Sequence, residues 1–381
     1  MVLDIGSMTA LRRDLHQNPE LGFDEKYTKQ KIVKFLSDLN VEVYEGSGVV
    51  GVLRAGKGNR AIGLRADMDA LPISETSEHG YGSKIDGVMH ACGHDGHMAM
   101  LLGAAEALVK KPDFDGTVIF IFQPNEEHGL GAKKMIAEGF LEKFPLEEVY
   151  AIHNLPGAPT GQISTRAGLI CSSESLFEIN INGQGGHASM PHLGQDTITI
   201  GAEIIQALQT VVSRKLPPGS GAVLSVTEFL TDGQRNVLPG HATLKGDVRT
   251  RSTEDRDQIE SFMKKICMGI ETSHSASIEL TFDTQFIETV NAFDPTNAAV
   301  RVAERLGLET IANREPMSFS EDFAHFSKAI PGCFLLLGNG VKAKNARPLH
   351  SSDYDFNDQL LPIGAEFWAA LVRDRLPKSN I

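Results

Sequence analysis

Two hydrophobic rhythms run along this chain. In the first, short unbroken apolar runs (AIGLRA, TVIFIF, VYAI, CFLLLG) are separated by stretches with helical spacing, which predicts strands and helices of a layered α/β fold. TVIFIF shows no polar alternation, so it is expected to be buried on both faces of a parallel sheet. AIGLRA leads into Asp67, TVIFIFQPN into Glu126 and Glu127, and VYAI into His153, while CFLLLG follows the polar segment around Glu321 and Asp322. The first three runs are therefore expected to deliver their acids and histidine just past their C-terminal ends, where open α/β sheets bind ligands. HACGHDGH, residues 90 to 97, precedes the helical pattern MAMLLGAAEALVKK and is expected on a loop and first helical turn at that same edge.

The second rhythm occupies the middle of the chain. SLFEININ alternates as a half-buried strand, TITIGAEIIQALQTVVSRKL reads as one long amphipathic helix, and AVLSVTEFL and HATLKGDVRT read as strands. TEDRDQIESFMKKICMGIE follows as a helix, with Thr253 as the expected N-cap and acids in its first turn, and SIELTF closes the series. The order βαββαβ is a ferredoxin-like unit complete in itself. The expected organisation is a catalytic α/β domain split between residues 1–174 and 288–381, with an inserted ferredoxin-like domain over 175–287.

Composition narrows the partners. The 381 residues are 41% hydrophobic, which suits about two globular domains. A formal net charge of −13 argues against nucleic acid or a membrane surface and in favour of a small-molecule substrate. The longest apolar run, MAMLLGAAEALV, is shorter than the roughly 20 residues of a membrane span. The start, MVLDIGSMTALRRDL, places an acid before any base and has no apolar signal core, so a cytoplasmic location is expected. Cys92, Cys171, Cys267 and Cys333 are far apart and predict free thiols, the last three as packing residues.

The candidate chemistry lies in one donor set. Cys92, His94, Glu127, His153 and His350 combine sulfur, nitrogen and oxygen ligands, a mixture that suits Zn²⁺ or a similar ion. Five ligands exceed what one catalytic ion with an open position takes, so two ions sharing a ligand is the economical reading.

Several stretches together carry a family resemblance: LRRDLHQNPELGFDE, RADMDALP, MHACGHDGH, QPNEE, AIHNLP, GGHASMPH, NVLPGHATLKGDVRT and LHSSDYDF. Over essentially its whole length the chain resembles the metal-dependent amidohydrolases that include hippurate hydrolase, aminoacylases and plant indoleacetyl-amino-acid hydrolases, relatives of carboxypeptidase G. The resemblance implies a di-metal α/β domain with an inserted ferredoxin-like lid or dimerisation domain, and hydrolysis of N-acyl-amino acids to a carboxylic acid and a free amino acid. It implies two divalent ions (Zn, Mn or Co) bridged by Cys92, one completed by His94 and His153, the other by Glu127 and His350, with Glu126 as general base. His187 would polarise the carbonyl or stabilise the oxyanion, and Asn236 and Arg249 would hold the carboxylate of the amino acid. Related peptidases carry His at Arg65 and Asp at Cys92, which leaves Asp67 a supporting role beside the ligands. His90, Asp95 and His97 are expected to orient ligands, with capping of the next helix as Asp95's alternative. A homodimer or higher oligomer through the lid's exposed strand edge is expected. The rival readings are a dipeptidase or carboxypeptidase using the same metals, and a non-catalytic metal-binding scaffold.

Overall fold

The computed structural model describes residues 4–378, which divide into two compact units. One comprises the described residues up to Ile170, with Thr289–Glu315 and those from Glu321 onward; the other comprises Cys171–Glu288 and Pro316–Ser320.

The first unit is built on an eight-stranded sheet. At its centre Ala61–Asp67 pairs parallel with both Gly116–Gln123 and Glu148–Pro156, and the latter pairs parallel with Gly332–Gly340. Val118 to Phe122 are all buried, as an unbroken apolar run requires. Gly116–Gln123 meets its other neighbour, Val49–Ala55, in antiparallel register, so the sheet is mixed rather than wholly parallel. The reason is chain length: only five residues link Ala55 to Ala61, and a parallel return needs a crossover of about a dozen or more. The helix His94–Lys110 is buried on nearly every face and joins Leu360–Arg375 in one core through Leu101, Leu102, Ala105, Ala365, Trp368 and Val372.

The second unit runs Ser173–Asn182, Thr197–Thr210, Val223–Thr231, His241–Thr250, Thr253–His274 and Ser277–Phe286, the order βαββαβ. Its four strands are antiparallel, with Val223–Thr231 and Ser277–Phe286 at the edges. Alternating Phe177, Ile179 and Ile181 pack with Ala242, Leu244 and Val248 against Ile200, Ile204, Ile259 and Met263 of the two helices. The first helix stops at Thr210 and gives way to a π-turn at Val211–Lys215 instead of continuing to the end of the amphipathic pattern. The second is capped one residue earlier than expected: Ser252 accepts the Asp255 N–H at 3.1 Å, because its extended backbone turns the hydroxyl back over the first turn while Thr253 is already helical. All four cysteines are buried, and no disulfide is formed among them. Among the described residues no helix is long and apolar enough to cross a membrane.

Trp368, the single tryptophan, lies in the core of the first unit and reports its unfolding. Phe120→Ala is expected to cost about 3–5 kcal/mol, seen as a lower urea midpoint in tryptophan fluorescence. Val341→Ala, at a half-exposed position, should shift stability by less than about 0.5 kcal/mol.

Candidate metal centre

Four stretches of the first unit bring their donors to one place, each by a local device. Gly93 separates Cys92 from His94 with φ +95°, and a Cβ there would overlap Asn154 Oδ1 and sit 2.6 Å from the Tyr354 hydroxyl. Only glycine takes that turn without strain, and the helix starts at once with His94. His153 lies inside the strand Glu148–Pro156 and not beyond its end. It donates from Nδ1 to the Asn154 carbonyl at 2.8 Å, and its Nε2 is 3.3 Å from Cys92 Sγ. Glu126 and Glu127 follow Asn125, whose positive φ of 46° is held by its N–H donating to Glu25 at 2.9 Å. His350 also has positive φ, 63°; its N–H donates to the Ala91 carbonyl at 2.8 Å, fastening the C-terminal segment to the one that bears Cys92.

The donor atoms of Cys92, His94 and His153 lie within 4.8 Å of one another, as do those of Cys92, Glu127 and His350. His94 donates from Nδ1 to the Asp69 carbonyl at 2.9 Å, and among the described residues its buried Nε2 has no hydrogen-bond partner. Glu127 Oε1, 3.9 Å away, is orphaned in the same way, while Glu127 Oε2 is 3.4 Å from His350 Nε2. Buried polar atoms are rarely left unmatched, and a mixed sulfur, nitrogen and oxygen set with two such atoms fits divalent cations.

Electrostatics point the same way. Burial, then Glu127 and Glu126, push the Cys92 thiol far up. Glu126 is pushed well up by burial, Glu321, Glu127 and Asp322, and Glu127 to about 7, chiefly by burial. Burial and the nearby His97 push His153 well down, towards neutral imidazole. Burial would lower His94 as well, but Asp67, Asp69 and Glu127 outweigh it and raise it to about 10.

Around the donors, Asp67 contacts His97 Nδ1 at 2.6 Å and accepts from Arg65 at 2.6 Å; burial alone would raise its pKa, yet His94, His97 and Arg65 hold it far down. Arg65 also donates to Glu321 at 2.9 Å and Asp322 at 3.1 Å. His97 bridges Asp67 and Asn154, the latter at 2.7 Å from Nε2. Asp95 does not cap the helix: its carboxylate accepts from His16 Nδ1 at 2.8 Å and Arg12 at 3.3 Å, and Gly93 occupies the cap position with no side-chain bond. Among the described residues neither ring nitrogen of His90 has a hydrogen-bond partner, and burial lowers its pKa to about 4.

Sequence reasoning passed over Asp69 and Asn154. Asp69 accepts from His94 through its carbonyl and from the Glu127 N–H through its carboxylate at 3.0 Å. Asn154 donates to the Tyr354 hydroxyl at 2.6 Å. The available signal was adjacency: Asp69 follows Asp67 by two, and Asn154 follows His153.

His187, Asn236 and Arg249 lie in the second unit. His187 pairs with Val237 on a two-residue strand, and the Ala188 N–H donates to the Asn236 carbonyl at 3.1 Å, so these two expected residues are neighbours. Arg249 is engaged at each of its three nitrogens, by Asp247 at 2.9 Å, Ser320 at 3.1 Å and Glu174.

Comparison with known proteins agrees across the whole chain. It is 38% identical over 377 residues to hippurate hydrolase of Campylobacter jejuni, covering 97% of each chain. It is 35% identical over 368 residues to N-acetylcysteine deacetylase of Bacillus subtilis, covering 95% of each. Its fold matches the crystal structure of a Bacillus subtilis protein described as a dinuclear metal-binding peptidase, with TM-score 0.83, 32% identity and 98% of each chain covered. Residues 63–374 match the family model of peptidase family M20/M25/M40, and the chain belongs to that family.

Proposed function

We propose that Cys92, His94, His153, Glu127 and His350 hold two divalent cations (Zn, Mn or Co), Cys92 being shared, and that the enzyme hydrolyses the amide bond of N-acyl-amino acids. The observation that carries this reading is the buried pair of orphaned donors, His94 Nε2 and Glu127 Oε1, within the five-residue donor set and beside Glu126. The names hippurate hydrolase and N-acetylcysteine deacetylase both denote cleavage of an acylated amino acid, and both relatives span nearly the full chain.

When bound, the ions supply Lewis-acid polarisation of the scissile carbonyl and acidify water. To ligate, Cys92 would have to be a thiolate and His94 unprotonated at Nε2, so cation binding there would release protons. Glu126, buried among carboxylates, has a high proton affinity; it removes the proton from the attacking water and delivers it to the departing nitrogen. Asp69 holds His94 and Glu127 in place, and Asp67, through His97 and Arg65, balances charge around them. His90, Asp95 and His97 support the segment that carries Cys92 and His94. In the second unit we assign His187 to the oxyanion, and Asn236 and Arg249 to the substrate carboxylate. To take that carboxylate, Arg249 exchanges one of its bonds to Asp247 or Glu174. Pairing of an edge strand, Val223–Thr231 or Ser277–Phe286, across two copies is the proposed route to a homodimer.

Glu126→Gln should keep wild-type metal content by mass spectrometry yet lose about 10²–10⁴-fold in kcat on hippurate, whereas Cys92→Ala should lose metal; near wild-type turnover by Glu126→Gln would remove the general-base role. Gly93→Ala forces a side chain into Asn154 and Tyr354, and metal content and turnover should fall together. Arg249→Ala should lower kcat/KM for acyl-amino acids by about 10- to 100-fold, the worth of a charge-assisted bond. If amides lacking the carboxylate lose as much, Arg249 does not bind it.

A further inference from the structure

A second cluster of metal-type donors lies in the first unit and shares no residue with the five above. The ligating atoms of His16, Glu75 and His79 lie within 4.8 Å of one another. His16 Nε2 is 3.2 Å and His79 Nε2 is 3.0 Å from the same oxygen, Glu75 Oε1. Two ligands on one tetrahedral zinc with bonds of ~2.0–2.1 Å stand about 3.3 Å apart, so the three groups need only small adjustments to share an ion.

Each donor is also held from behind. His16 donates from Nδ1 to Asp95 at 2.8 Å, the carboxylate–histidine arrangement that turns Nε2 towards a metal. Glu75 Oε2 accepts the Ser83 N–H at 2.5 Å, leaving Oε1 facing the two imidazoles. The His79 ring stacks on Tyr81, centroids 3.9 Å apart and planes 13° from parallel. Both ring nitrogens of His79 are shielded from water; Nε2 faces Glu75, and among the described residues Nδ1 has no hydrogen-bond partner. A part-buried imidazole with its nitrogens stripped of water, held between a stacked ring and a carboxylate that a second imidazole also faces, is placed to share a cation.

We propose that His16, Glu75 and His79 form a third cation site, of the His₂Glu type that selects zinc, with water completing the coordination. The cation clamps the end of the helix Ile5–Gln17 to the segment Glu75–Ser83. Because His16 also bonds Asp95, in the first turn of the helix His94–Lys110, the clamp fixes the start of that helix. This proposal does not rest on the two-ion reading above, since its ligands are separate.

The test uses the full chain as wild type, His79→Ala, Cys92→Ala and the double variant, each stripped by chelator and equilibrated with the same free Zn²⁺. Zinc per chain is read by mass spectrometry. His79→Ala is expected to hold one zinc fewer than its parent in both backgrounds. With Co²⁺, the absorption lost on His79→Ala should contain no thiolate-to-cobalt charge-transfer band, because no sulfur lies in this set. Equal zinc in His79→Ala and its parent overturns the third site and leaves a hydrogen-bonded His–Glu–His cluster. Failure of the two-ion reading is seen separately, as a charge-transfer band or zinc content unchanged by Cys92→Ala. Tryptophan-monitored melts verify folding, and His79→Gln, which keeps side-chain bulk, must reproduce the zinc loss.

Discussion

Everything at this site follows from the cost of burying negative charge. Asp67, Asp69, Glu126, Glu321 and Asp322 are all buried in the first unit, with Glu127 close behind. Carboxylates out of water are expensive unless paired. Arg65 meets three of them, Asp67, Glu321 and Asp322. That single guanidinium cannot balance the rest, and the excess raises the proton affinity of Glu126, Glu127 and His94. Divalent cations would relieve the same excess with more charge in less space, so the place where buried carboxylates crowd most is also the place where the candidate donor set gathers.

The scaffold supplies rigidity where this electrostatic load is highest. His94 opens a helix that is buried almost all round, and His153 sits within a central strand. The remaining donors come from irregular backbone, and three of the positions there have left-handed φ: Gly93, Asn125 and His350. Each is held by a specific contact, the Asn154–Tyr354 wall, the Glu25 carboxylate or the Ala91 carbonyl. Backbone in that region persists only where surroundings enforce it, and it gathers at functional sites.

Asp95 joins this centre to the His16 cluster. The segment Cys92 to His97 sends Cys92 and His94 towards one donor set, while Asp95, between them and His97, accepts from His16 and Arg12. Order at the N-terminal helix therefore bears on the start of the helix that presents His94. A cation at His16, Glu75 and His79 would strengthen that coupling without touching the substrate.

Much of the fold is local and was readable from the chain. TVIFIF has no polar position to expose and is buried on both faces; HATLKGDVRT alternates and is buried on one. The βαββαβ order and the types of donor follow from such periods and from residue chemistry, because both depend on neighbours in sequence. What depended on distant partners was not readable. His153 inside its strand, Asp95 turned to His16 and away from its own helix, and the bonds of Arg249 to Ser320 and Glu174 are all set by residues tens to hundreds of positions away. So too is the meeting of His16, Glu75 and His79, whose residues read singly as ordinary polar positions. The sequence determines which groups can bind a metal or carry a proton; only packing decides which of them are stripped of water, left without partners and brought within reach of one ion.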